Sequence, residues 1–224
     1  AENCLFADEL LDDKGGSWTS IIMESTIDQV QPMTGLVLWT TNEKVKTAPI
    51  QLEYAYLAYD EVIRGPMEYR FEVVDKLLDD VASRNHQAIL RFYDTYVGKP
   101  SGVPEYIRST PGYQGIEAKS EGKMTGFPDW SHQPWQECVL DFYTAFAARY
   151  DKDPRLAYLQ VGFGLWAEYH IYDGPMVLGK TFPSMDFQAK LLKHVNQCFR
   201  VTPWMISVDS GDGAIAPIGK SKEL

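Results

Sequence analysis

The sequence predicts an α/β chain of the (β/α)8, TIM-barrel type, incomplete here because about five strands are legible. Three observations carry that prediction. Apolar strand-like runs alternate with amphipathic helical stretches, the signature of parallel strands joined by helical crossovers. Long loops follow the strands and short ones follow the helices, which places a site at the strand ends. One apolar run, Leu156–His170 (LAYLQVGFGLWAEYH), leaves the sheet in Trp166, Glu168 and His170.

Taken in order, residues 1–31 are polar, broken at Gly15-Gly16, and read as a lead-in; residues 32–224 read as the barrel domain. Leu36–Thr40 is the first candidate strand, flanked by turn residues. Residues 50–59 (IQLEYAYLAY) alternate as the second, with Tyr54, Tyr56 and Ala58 on one face and Glu53, Ala55 and Leu57 on the other. Whether Glu53 points into the barrel or out to a helix stays open. Phe71, Val74, Leu77, Leu78 and Val81 recur at helical spacing over residues 70–85. Gln87–Tyr93 is the third strand, with Ile89, Arg91 and Tyr93 on one face and Asp94 at its tip.

Residues 95–134 are rich in Gly, Pro and Ser and read as a long functional loop, punctuated by Phe127, Trp130, His132 and Trp135. Glu137–Tyr150 is the clearest helix, stopped by Asp153-Pro154. The fourth strand is expected from Leu156 to Glu168, so that alternation puts Gln160, Gly162, Gly164, Trp166, Glu168 and His170 on one face. After a loop at 172–183, Ser184 caps a helix over Phe187–Phe199. Thr202-Pro203 ends it, and Trp204–Val208 is the fifth strand, leading to Asp209 and Asp212. Eight strands take about 250 residues. The shortfall leaves a truncated barrel, one completed by a partner, or an open sheet; a fragment of a longer barrel is preferred.

Composition sets outer limits. The chain has 224 residues, 45% apolar and 23% charged, enough for one domain with a real core. Its net charge of −10 argues against a nucleic-acid partner. No run reaches the roughly eighteen apolar residues of a membrane span. Aromatics make up 13%, with six Trp and thirteen Tyr, which suits both sugar rings and a packed core. Cys4, Cys138 and Cys198 match no metal or redox spacing, and Cys138 and Cys198 read as buried helix thiols. The four His (86, 132, 170 and 194) show no zinc spacing. There is no Gly-rich phosphate turn and no GxSxG elbow. No metal and no cofactor is therefore expected. A start at Ala-Glu-Asn-Cys suits a chain processed or cloned without a signal peptide, a secreted or periplasmic location is expected, and the closing Ser-Lys-Glu-Leu reads as coincidence.

The segments PMTGLVLWT, AILRFYDTY, FAARYDKDPRLAYLQVGFGLWAEYH and FRVTPWMISVD together resemble the N-terminal half of glycoside-hydrolase-like TIM barrels of the β-galactosidase/cellulase type. Within them the chain is similar to an uncharacterised group with a G-x-W-G-E-x-H strand end, here Gly164-Leu165-Trp166-Ala167-Glu168-Tyr169-His170. The resemblance runs from Pro32 to Asp212. It implies that Glu168, at the end of strand four, is the general acid/base, although Ala167 stands where the family carries Asn. The family's nucleophile on strand seven has no counterpart here.

Glycosidic cleavage needs one carboxyl to protonate the leaving oxygen and a second to attack or to activate water. Glu168 is the candidate for the first, with Trp166 and Tyr169 as an apolar wall; the competing assignment is a rim carboxylate in a structural ion pair. Asp209 is the candidate second carboxyl. Arg91, Tyr93, Asp94 and His170 are expected to bind substrate, and Trp39, Trp130 and Trp166 to stack on sugar rings. The alternative function is a non-catalytic carbohydrate-binding protein on a degenerate barrel.

Overall fold

The computed structural model of the chain describes residues 33–207. The expected lead-in, Asp209 and Asp212 lie outside the described residues. Strand β1 (Val37–Trp39) leads through a short 3-10 turn to β2 (Leu52–Ala58) and a single helical turn, α1 (Tyr59–Val62). Two short strands, β3 (Ile63–Gly65) and β4 (Glu68–Tyr69), pair antiparallel before helix α2 (Phe71–Ala82) and strand β5 (Gln87–Tyr93).

The stretch expected as one long loop is not structureless. It holds α3 (Glu105–Arg108) and a hairpin of β6 (Ile116–Ser120) and β7 (Lys123–Phe127). The hairpin turns on Glu121 and Gly122, both at positive φ (48° and 73°). Two such residues match the twist of the flanking strands, and Gly122 adopts this conformation without strain. Strands too short and too polar to stand out in sequence hid this hairpin.

Helix α4 (Gln133–Tyr150) begins four residues before the predicted start, because Pro134 fits the first turn, where no backbone N–H is needed. Strand β8 (Leu156–Val161), helix α5 (Met185–Cys198) and strand β9 (Trp204–Ile206) complete the described chain. Ser184 caps α5 as expected, accepting from the Phe187 N–H at 3.3 Å.

The main sheet has the order β1-β2-β5-β8-β9, and every neighbouring pair is parallel. Spatial order thus follows chain order. Ala55 and Leu57, Leu90 and Phe92, and Leu159 and Val161 all project into one core with Val74 and Leu78 of α2, Val139, Phe142 and Phe146 of α4, and Leu191 and Val195 of α5. A doubly wound sheet would reverse its strand order and carry helices on both faces. This arrangement is instead compatible with part of a TIM barrel; among the described residues the barrel is not closed.

The core absorbs much of the aromatic content that suggested sugar binding. The Phe92 ring meets Phe142 edge-on at 4.7 Å and Phe146 at 5.0 Å. Edge-to-face pairs of this kind add about 0.5–1.5 kcal/mol beyond area burial.

Glu53 faces the helices, not the barrel interior. Its fully buried carboxylate takes two bonds from Arg84, at 2.7 and 2.8 Å, and a third from His86 Nδ1 at 2.7 Å. This clamp joins β2 to the segment that connects α2 to β5. Replacing Glu53 with Ala leaves Arg84 only the exposed Asp80, 2.9 Å away, takes the partner from His86, and is expected to cost about 3 kcal/mol. A loss below 1 kcal/mol in urea titration would show that the clamp does not hold the sheet to α2.

Candidate active site

Two glycines decide how the chain leaves β8. An added Cβ at Gly162 would lie 1.8 Å from the Ala167 carbonyl oxygen, and one at Gly164 would lie 2.3 Å from that of His170. Only glycine permits such backbone approach. The strand therefore stops at Val161, and residues 162–170 fold into a tight loop. Tyr169 N–H donates to Phe163 O at 2.8 Å and Leu165 N–H to His170 O at 2.9 Å. Trp166 N–H donates across to Thr95 O at 2.9 Å, fixing the loop to the end of β5.

The expected strand to Glu168, with alternating faces out to His170, is thereby corrected. Trp166, Ala167 and Tyr169 have φ of 53°, 58° and 62°, so side-chain direction beyond Val161 follows a left-handed turn rather than a pleat. Each such non-glycine residue costs about 1–3 kcal/mol and persists only where neighbours over-determine it. Tyr169 points away from Glu168, fully buried against Phe163 and Phe182. It is no wall of the site.

What the loop delivers is the Glu168 carboxylate, at the C-terminal ends of the strands. Oε1 accepts from Tyr56 Oη at 2.8 Å and from Arg91 Nη1 at 2.8 Å. No other hydrogen bond engages the carboxylate among the described residues, and the side chain is 23% exposed, so Oε2 is left for a ligand.

Register explains the supporting groups. Tyr56 pairs with Arg91, and Arg91 with Gln160, so three adjacent parallel strands place these side chains in one row on the face opposite α2, α4 and α5. Arg91, 3% exposed, donates Nε to Gln160 Oε1 at 2.8 Å, and Nη1 also reaches Tyr56 Oη at 2.6 Å and Trp166 O at 2.9 Å. Its guanidinium lies 4.5 Å over the Tyr56 ring and 5.3 Å from the Tyr54 ring centre. Burial pushes the Tyr56 phenol up to about 12 against the opposing charge of Arg91, so it remains a hydrogen-bond donor at neutral pH.

Around this row stand two sets of rings. Trp39, 47% exposed, meets Tyr54 and Tyr56 edge-on at 5.1 and 4.6 Å and borders a cleft of about 320 Å³ lined also by Ile89, Gln160 and Met205. On the loop side, Tyr93 and Tyr56 pack with Ala58 and Ala167, and Trp166 stacks on exposed Tyr172 at 6.2 Å. His170 is buried beside Trp166 and Tyr172, at 6.1 and 5.1 Å.

Two candidates lie elsewhere. Trp130 is 1% exposed and packed among Trp135, Phe163 and Phe187, so it fills the core rather than presenting a platform. Asp94 follows Tyr93 onto the helix side, 3% exposed, and accepts from Thr95 Oγ1 at 2.8 Å. The Trp130 indole N–H faces it without completing a hydrogen bond of good geometry. Neither joins the hydrogen bonds around Glu168.

Tyr54, Tyr56, Gln160, Tyr96 and Tyr172 are site residues that sequence reasoning did not select. Alternation in β2 already grouped Tyr54 with Tyr56; their place beside Arg91 needed the register. Among the described residues, no cluster of three or more His, Cys, Asp or Glu is placed to hold a metal, and no helix is long and apolar enough to cross a membrane.

No family model and no curated protein matches the chain. Solved structures similar to it include a β-galactosidase from Marinomonas ef1, with 19% identity over 50% of this chain and 17% of that one, at a TM-score of 0.37. A second, described as a glycoside hydrolase, has 15% identity over 84% of this chain and 50% of that one, at 0.40. An α-galactosidase from Geobacillus stearothermophilus has 12% identity over 79% and 27%, at 0.44. The chain spans half or less of the length of each. These neighbours are glycoside hydrolases, but the likeness is too distant to assign residues.

Burial holds the proton on Asp94 to about pH 7, well above the usual 3.8 of an aspartate, with the Thr95 hydroxyl opposing. Between those values the folded state binds more protons than the unfolded state, so this group makes stability fall as pH rises from 4 to 7 and adds no slope above. Asp94→Asn is expected to flatten that slope and to raise the urea midpoint at pH 8 relative to wild type. An unchanged slope would contradict it.

Proposed function

We propose that this chain carries the acid/base half of a glycoside hydrolase site, with Glu168 acting on the glycosidic oxygen of an oligo- or polysaccharide. The observation that carries this reading is the one-sided anchoring of Glu168. Tyr56 and Arg91 hold Oε1, and Oε2 stays open beside the row of side chains whose neighbours Tyr54 and Gln160 line the cleft bordered by Trp39. A fixed carboxylate at the C-terminal ends of parallel strands is where such barrels do their chemistry. Trp39 and Trp166 offer flat faces to pyranose rings, and the buried guanidinium of Arg91 keeps Glu168 from swinging away. An extracellular or periplasmic setting, where polymeric glycans are met, goes with this reading.

Cleavage also needs a second carboxyl, about 5–5.5 Å away for retention or about 6.5–9.5 Å for inversion. Among the described residues none joins the hydrogen bonds around Glu168. Asp209 is our candidate. The lack of a described partner also favours a second reading, a carbohydrate-binding protein that keeps the aromatic cleft without turnover.

Aryl glycosides and polysaccharides separate the two. Wild type is expected to hydrolyse at least one of them, and Glu168→Gln to lower kcat by about 10²–10⁴-fold while retaining sugar binding. Sugar binding by wild type with no turnover on any substrate would leave the binding reading standing. Turnover unaffected by Glu168→Gln would remove Glu168 from the chemistry.

A further inference from the structure

Arg91 has no charge to spare for a ligand, since Glu168, Tyr56, Gln160 and the Trp166 carbonyl take its donors. A different cation stands at this rim. Lys99 is exposed, with its Nζ 4.2 Å from the Tyr96 ring centre and 5.5 Å from that of Tyr93, and it donates to Tyr93 Oη at 3.2 Å. Tyr96 meets Trp166 edge-on at 6.1 Å, and Tyr93 meets Tyr56 at 6.4 Å. One layer of rings therefore separates Lys99 from the groups that hold Glu168.

Arg84, Arg91, Arg108, Arg149, Arg155 and Lys180 each face a carboxylate. Lys99, like other exposed lysines such as Lys76 and Lys190, faces none among the described residues, and what sets it apart is its place on the rings beside Glu168. Glu61, whose charge reaches Tyr93, is turned to the Ala58 N–H at 2.6 Å. The stem of Lys123 lies against Gly98, bringing a second lysine to the same corner. The acids of the opposite side are engaged as well: Glu121 accepts from Tyr172, and Asp173 accepts from the Glu121 N–H at 2.5 Å. Two rings hold Lys99 in place, and its ammonium keeps donors for an anion.

In a chain of net charge −10, an anionic glycan is repelled at long range, so accepting one requires a local cation. We infer that the glycan taken here is acid-bearing, with a uronic-acid unit one sugar beyond Glu168 whose carboxylate is read by Lys99. This deepens the glycoside-hydrolase reading and rests on it.

The test titrates wild type, Lys99→Met and Lys99→Arg by calorimetry with trisaccharides from polygalacturonate, alginate and glucuronan, each beside its carboxyl-reduced form. At least one acidic trisaccharide is expected to bind wild type about fivefold more tightly than its reduced form, as an exposed ion pair allows. Lys99→Met should erase that margin without weakening the reduced form, Lys99→Arg should keep it, and added salt should narrow it. The inference is overturned if all three margins are absent from wild type, or if the margin survives in Lys99→Met. Binding of the reduced forms without a margin rejects only the acidic assignment; hydrolysis of neutral glycosides would then still support the parent reading. No binding by either form, together with no turnover of any glycoside, rejects both.

Discussion

The buried guanidinium of Arg91 is the constraint on which the site depends. A charge 3% exposed is tolerated only when its donors are met, and here two neighbouring strands and one loop meet them. Tyr56 comes from β2, Gln160 from β8, and Glu168 and the Trp166 carbonyl from the loop beyond β8. The same bonds that satisfy Arg91 set the position of Glu168. Register across the parallel sheet thus becomes the position of a reactive group.

The loop contributes by being unable to relax. Its backbone passes so close to itself at Gly162 and Gly164 that no side chain fits there, and Trp166 and Ala167 take the left-handed conformation in succession. Contacts repay that strain. The Trp166 amide is held by Thr95, its carbonyl by Arg91, and Ala167 packs against Ala58 and Tyr93. The two faces of the sheet divide the remaining work. One is spent on Phe92, Phe142, Phe146 and their neighbours, which bind the helices; the other keeps Trp39, Tyr54 and Tyr56 around the cleft.

Much of the architecture was legible because hydrophobic period is local. β5 ends where the sequence placed it, β2 differs by a residue or two, and the helical stripe of α2 matches its buried Val74, Leu78 and Val81. The hairpin of β6 and β7 escaped because its strands are short and their buried positions do not alternate, Thr125, Gly126 and Phe127 being buried in succession. Trp130 was misread for a related reason. A tryptophan in a Gly- and Pro-rich stretch has no periodic neighbours to reveal that it is buried.

By itself the sequence determined the parallel α/β class, the main helices and strands, and Glu168 and Arg91 as separate candidates, since these follow from residue type and spacing along the chain. Only the tertiary structure decided that β8 stops at Val161, that Glu53 serves a helix-side clamp, that Asp94 turns to the helix side, and that Tyr56 and Gln160 flank Arg91. Each of those depends on which residue stands opposite on another strand, or on how closely two backbones approach. Pairwise geometry of that kind has no signature in a linear pattern.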